Sequence, residues 1–200
     1  EASEALPSRI DTTTMGQFLE VSQDKLTARY GGEAAHSNDV GAAQGDCCEP
    51  RRAALYYYEL RVINAGRDGA IAIGFSQEGA RLTRQPGWDP NSYGYHGDDG
   101  RKFHNNGTGE PYGPHFGAGD VVGAGINTAD RTIFFTRNGV DLGVAFEGVR
   151  SNLRPSFGLH SKDEEVRVNF GQEPFMYDVD AAVRRSRERL AARVATFAAN

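Results

Sequence analysis

Hydrophobic positions along the chain come in short runs divided by turn residues. "LYYYELRV" from Leu55, "AIAIGFS" from Ala70, "DVVGAGIN" from Asp120 and "TIFFTR" from Thr132 are rich in aromatic and β-branched side chains, which favour strands. In "EEVRVNF" the apolar Val166, Val168 and Phe170 alternate with Arg167 and Asn169, the period of a strand with one buried face. "RNG" at Arg137 to Gly139 separates two strand-like runs, and Asn-Gly supplies the positive φ angles of a tight hairpin. "LYYYELRV" and "AIAIGFS", joined by "NAGRDG", read as antiparallel neighbours. The first fifty residues carry only scattered apolar positions such as Phe18, Leu19, Val21 and Leu26; they predict a strand or two and then a loop over "GGEAAHSNDVGAAQGD". Short strands at roughly ten-residue spacing argue for an all-β fold, an antiparallel β-sandwich. From Asp178, a candidate N-cap, the period changes: Val179, Val183, Leu190, Val194 and Phe197 fall near helical spacing and predict a C-terminal α-helix.

Composition narrows the function classes. The 200 residues are long enough for one sizeable core, and no apolar run reaches the roughly 18 residues of a membrane span. A net charge of -5 provides no basic field for nucleic acid, and the cluster "RRSRER" at Arg184 to Arg189 reads as a solvated helix face. Cys47 and Cys48 are adjacent, which excludes a disulfide framework, and "EASEALPSRI" has no charged-then-apolar secretion pattern, so a reducing compartment, cytoplasmic or also nuclear, is expected, although a mature secreted chain would share these features. "NGT" at Asn106 fits a glycosylation acceptor, of consequence only in a secreted protein.

Catalytic patterns fail on context. "GFSQEG" is one residue too long for a nucleophile elbow and has no helix after it. "GTGEPYG" and "GAGDVVG" miss the dinucleotide fingerprint by one residue and lie between no strand and helix. The five histidines match no zinc spacing, so no metal or other cofactor is expected, and Asp98 and Asp99 read as turn residues that bind backbone amides. No enzyme is predicted.

The most unusual stretch is "PGWDPNSYGYHGDDG", Pro86 to Gly100, dense in aromatics and glycine. Together with "GRDGAIAIGFS", "GTGEPYGPHFGAGDVVGAGIN", "FFTRNGVDLGVAF" and "VNFGQEPFMYD" it resembles a SPRY domain, and more narrowly the SPRY domain of the Ran-binding protein M group, scaffold subunits of the GID/CTLH ubiquitin ligase. The resemblance implies an N-terminal extension over 1–18, a SPRY sandwich over 19–177 and a helix over 178–200 leading toward LisH and CTLH segments that this chain lacks. It implies a non-catalytic domain whose loops hold a short peptide of a partner, such as a ligase subunit or substrate, and an isolated domain that is monomeric.

By the same resemblance, the peptide surface falls on three walls: Leu82, Thr83, Arg84, Gln85 and Pro86; Tyr30, Gly32 and Ala34; and His160 with Ser161. Arg81 and Arg84 are candidates to fork hydrogen bonds onto a partner. Trp88 reads equally as core anchor or contact residue, and of Tyr93 and Tyr95 one is expected to face inward and one outward. Phe134, Phe146, Phe157 and Phe170 are expected in the core. Two other readings stand beside this one: a carbohydrate-binding sandwich that stacks sugars on Trp88, and a secreted SPRY effector.

Overall fold

The computed structural model describes residues 4–198, so the ends of the predicted 1–18 and 178–200 segments lie outside the described residues. Fourteen strands and one helix follow in order: β1 (Ile10–Met15), β2 (Leu19–Val21), β3 (Thr27–Tyr30), β4 (Gly41–Gly45), β5 (Leu55–Ala65), β6 (Ala72–Gln77), β7 (Ser92–His96), β8 (Arg101–Phe103), β9 (Glu110–Pro111), β10 (Val121–Asn127), β11 (Thr132–Arg137), β12 (Val140–Phe146), β13 (Leu153–Leu159), β14 (Glu164–Asn169) and α1 (Val179–Ala198). They form two antiparallel seven-stranded sheets, β1-β4-β13-β6-β7-β8-β9 and β12-β11-β10-β5-β14-β3-β2. The predicted β-sandwich with a terminal helix is the observed fold.

Alternating side chains of each sheet meet between the layers. Tyr56, Tyr58, Leu60 and Val62 of β5 face Ile73 and Phe75 of β6, Tyr95 of β7 and Phe157 of β13. The Tyr58 hydroxyl crosses this core and donates to the Gly74 carbonyl at 2.6 Å, so one buried phenol ties the layers together. At the predicted hairpin Asn138 and Gly139 have φ of 50° and 79°, the pair of left-handed residues such a turn requires.

Four expectations are corrected. β5 and β6 are not neighbours: β5 pairs with β10 and β14, and "NAGRDG" carries the chain from one sheet to the other. Gly41–Gly45 is not loop but β4, paired with β1 and β13. Its residues are small and polar because its outer face is covered by a loop rather than by a hydrophobic layer. β1 lies before residue 19 and pairs with β4, so the sheet draws on the segment expected to precede the sandwich. Tyr93 and Tyr95 both face the core, since residues two apart on a strand share a face.

The helix starts as its sequence directs. Asp178 Oδ1 accepts the Ala181 amide at 2.9 Å, an N-cap. Its first half packs on the outer face of the second sheet, where Ala182, Val179 and Val183 cover Leu55, Tyr57, Phe134 and Tyr177. Phe134 is therefore buried under the helix, on the opposite face from Phe135. The buried carboxylate of Glu59 holds the approach, accepting the Met176 amide at 2.9 Å, the Tyr177 amide at 3.1 Å and the Tyr57 hydroxyl at 2.9 Å.

Candidate functional site

The connection from β6 to β7 does not turn directly. It folds back as a strap over the outer face of the first sheet, where alternation presents Ala42, Ser76, Ser92, Gly94, His96, Ser156 and Gly158. All but His96 are small and let backbone meet backbone. A Cβ on Gly94 would lie 2.0 Å from the Pro86 carbonyl oxygen, and one on Gly158 2.1 Å from Gln85 Oε1. Hydrogen bonds fix the strap along its length. Ala42 N donates to Leu82 O at 3.0 Å, Gln85 Nε2 to Ala70 O at 2.8 Å, and Gly87 N to Ser92 Oγ at 2.8 Å. His96 is buried and stacked on Phe103 at 3.9 Å, and its Nε2 lies 2.8 Å from Pro86 O. Burial pushes its pKa down to about 4, so it is neutral near pH 7 and carries its proton on the nitrogen that faces the carbonyl.

Trp88 is half-buried in the strap, with the Arg84 guanidinium 5.1 Å from its ring centroid. Asp89 accepts from Arg81 Nε at 3.2 Å and Nη2 at 2.8 Å, and lies 3.6 Å from Arg84 Nε. Both arginines predicted to reach for a partner are thus engaged within the strap, although Arg81 remains 70% exposed along its side chain. Tyr93, also named as a contact residue, is interior. Its ring stacks on His104 at 4.3 Å and its hydroxyl accepts the Arg150 amide at 3.3 Å.

The strap meets the other two predicted walls at one end of the sandwich. Glu164 is fully buried, and its carboxylate accepts the His160 and Ser161 amides at 2.6 and 2.9 Å and the Ser161 hydroxyl at 2.6 Å. Burial raises its pKa, and these donors oppose the rise. Ser161 Oγ also accepts the Asp68 amide at 3.0 Å. One carboxylate therefore shapes the whole 160–163 turn, and His160 Nε2 reaches from it to the His36 carbonyl at 2.9 Å. Tyr30 is fully buried and donates its hydroxyl to Asp39 O, bracing the 31–40 loop from below. A Cβ on Gly32 would lie 2.7 Å from Phe18 Cγ, and Ala34 holds a left-handed φ of 51°.

The predicted residues thus divide. Tyr30, Gly32, Gln85, Pro86, Tyr93 and Ser161 are buried, while Ala34, Leu82, Thr83 and His160 keep exposure or lie at the surface edge. Gly16 connects the walls: its amide donates to Ala42 O, and a Cβ there would lie 2.4 Å from Leu82 O. Two residues on stands Phe18, 44% exposed, with φ of 66° and its ring 5.9 Å from Tyr30. Phe18 was missed as a site residue. Its sequence signal was a large apolar side chain between Gln17 and a short strand, without periodic partners. The resulting surface is shallow, and the cavity beneath the strap measures about 10 Å³. Among the described residues no group of three His, Cys, Asp or Glu converges to hold a metal.

A rigid sandwich that presents such a surface agrees with the comparisons. Residues 55–173 match the SPRY domain family model. The chain belongs to the SPRY family. This SPRY domain is 42% identical over 180 residues to Ran-binding protein 9 of Xenopus tropicalis, covering 90% of the chain and 33% of the relative. It is 43% identical over 194 residues to the Ran-binding protein M homolog of Arabidopsis thaliana, covering 96% and 42%. The chain therefore spans a third to two fifths of the length of these relatives. A human SPRY domain crystal structure superposes with a TM-score of 0.71 at 30% identity, over 79% of this chain and 98% of that one. The SPRY domain is of the Ran-binding protein M type.

Proposed function

We propose that this SPRY domain holds a short extended peptide of a partner protein across Phe18, Ala34, Leu82, Thr83 and His160. The observation that carries the reading is the division of labour at that end. Glu164, Tyr30, Ser161, Gln85 and His96 are buried and bonded to loop backbone, and they fix a shallow surface rimmed by Phe18 and Leu82. Rigid support with a few exposed anchors lowers the ordering cost of binding a flexible ligand. An affinity near micromolar, about -8 kcal/mol, suits such a contact. The carbohydrate reading is weakened, because the Trp88 face on which a sugar would stack is occupied by Arg84.

We further propose, from the sequence resemblance to the Ran-binding protein M group, a cytoplasmic role in which the peptide belongs to a subunit or substrate of a GID/CTLH-type ubiquitin ligase. The test is to pan a random peptide library on the domain and titrate the selected peptides calorimetrically into wild type and Leu82→Asp/His160→Glu. Loss of binding at unchanged melting temperature supports the surface; undiminished binding places the peptide elsewhere. Capture from lysate with the same pair tests the ligase assignment, which fails if neither domain retains ligase subunits.

A further inference from the structure

At the opposite end of the sandwich, α1 and the β11–β12 hairpin enclose a second cavity of about 750 Å³, floored by Leu55, Phe134, Tyr177 and Val144. That volume falls within the roughly 300–1,000 Å³ of pockets that bury a ligand. The first half of α1 closes one wall with Ala182 and Arg185, and Ser186 anchors it to the sheet, its hydroxyl donating to Ala54 O at 3.3 Å. At 100° per residue Leu190, Val194 and Phe197 continue the same face. Beyond Ser186, however, they lack a layer to cover: they are 41%, 61% and 89% exposed. The helix is held at this angle by Asp130, paired with Arg189 at 3.8 Å and Arg193 beside it.

The cavity and the stripe lie on the two flanks of α1, with Arg189 and Arg193 between them, and we infer that the stripe forms a second docking surface, for an amphipathic helix with acidic flanks supplied by a protein partner. Spacings of four and three between the exposed apolar residues match the ridges of a helix. A strand is the poorer fit, because the edge of β12 is broken by a bulge and the Ala145 carbonyl is capped by Lys102 Nζ at 2.7 Å. The charge argument sets the flanks. α1 carries Arg184, Arg185, Arg187, Arg189 and Arg193 against Asp180 and Glu188 in a chain of net charge -5. Among the described residues Arg184, Arg185 and Arg187 have no carboxylate partner; Arg185 only donates to the Tyr177 hydroxyl at 3.2 Å. Glu147 on the facing wall repels an acid, and Asp141 is occupied by the Tyr177 hydroxyl at 3.1 Å, so the acidic side of an incoming helix turns toward α1.

The probes are three peptides of about 18 residues, five helical turns, with leucines on one face. One has glutamate flanks, one lysine flanks, and one keeps the glutamates but has central prolines that prevent a helix. Fluorescence anisotropy against the 200-residue chain should rank the glutamate helix at least tenfold above both others. Its binding should weaken with added salt, and drop at least tenfold for Val194→Asp/Phe197→Asp, whose melting temperature should match wild type. Equal binding of glutamate and lysine peptides overturns the inference, as does retention of binding by the double variant, or no binding at all. Sedimentation showing that the wild type self-associates through Val194 and Phe197 also overturns it, since the occupant is then a second copy.

Discussion

Adding one methyl group at Gly94 should separate the strap from the sheet without destroying the sandwich. The Cβ would stand 2.0 Å from Pro86 O and 2.7 Å from Pro86 C, contacts that a displaced side chain cannot relieve because both atoms are backbone. The strap must rise by about 1 Å, which costs about 1–3 kcal/mol for overpacking. It also stretches the His96–Pro86 and Gln85–Ala70 hydrogen bonds, each worth about 1 kcal/mol. Replacing glycine gives back about 0.4–1 kcal/mol by restricting the unfolded chain. The net loss is about 3 kcal/mol, or roughly 6–12 °C in melting temperature for a chain of this size. Urea denaturation of Gly94→Ala measures the stability, with Gly107→Ala, which meets no atom within 4 Å, as control. Peptide binding should fall more than stability does, because Leu82 and Thr83 ride on the displaced segment. A Gly94→Ala domain as stable as wild type would refute the reasoning that small residues exist here to seat the strap.

Other outcomes follow from single contacts. His96 is neutral when folded, with its pKa pushed down to about 4, so the unfolded chain takes up the proton first; stability is full above about pH 6.5 and is lost as pH falls through 4. The loss is about 3 kcal/mol, and the urea midpoint of His96→Gln should lack that share of the acid slope. Arg84→Glu replaces a guanidinium over Trp88 with a carboxylate beside Asp89; it should cost about 1–2 kcal/mol and shift the emission of the single tryptophan, whereas Arg81→Glu, more exposed, should cost under about 1 kcal/mol. Glu59→Ala leaves the Met176 and Tyr177 amides without their acceptor, and hydrogen exchange should show α1 opening independently of the sandwich, at a cost of about 2–4 kcal/mol.

What the sequence made legible depended on how far each signal acts along the chain. The Asn138-Gly139 hairpin, the alternation in β14 and the Asp178 cap are local, and all three stand in the structure. Strand partners are not local: β6 fits the hydrophobic pattern of a neighbour of β5, and only the two-layer topology assigns it to the opposite sheet. β4 was invisible because Ala42 and Gln44 meet a strap rather than a core, so neither needs bulk. The site was legible in part. Of the residues the resemblance named, Leu82, Thr83, Arg84 and His160 keep exposure while Gln85 and Pro86 are buried, and the fork of Asp89 across Arg81 and Arg84, the buried clamp of Glu164 and the left-handed Phe18 arise from tertiary contacts that no spacing records.

The central claim is that the shallow end around Phe18, Leu82 and His160 is the peptide-binding surface. The most direct measurement is a backbone amide NMR titration with the tightest library-selected peptide, residue by residue. The account predicts that shifts concentrate at 16–18, 31–36, 80–84 and 160–162 and leave β12 and α1 unmoved. Shifts confined to β12, α1 or the groove between them, with the loop end silent, would contradict it.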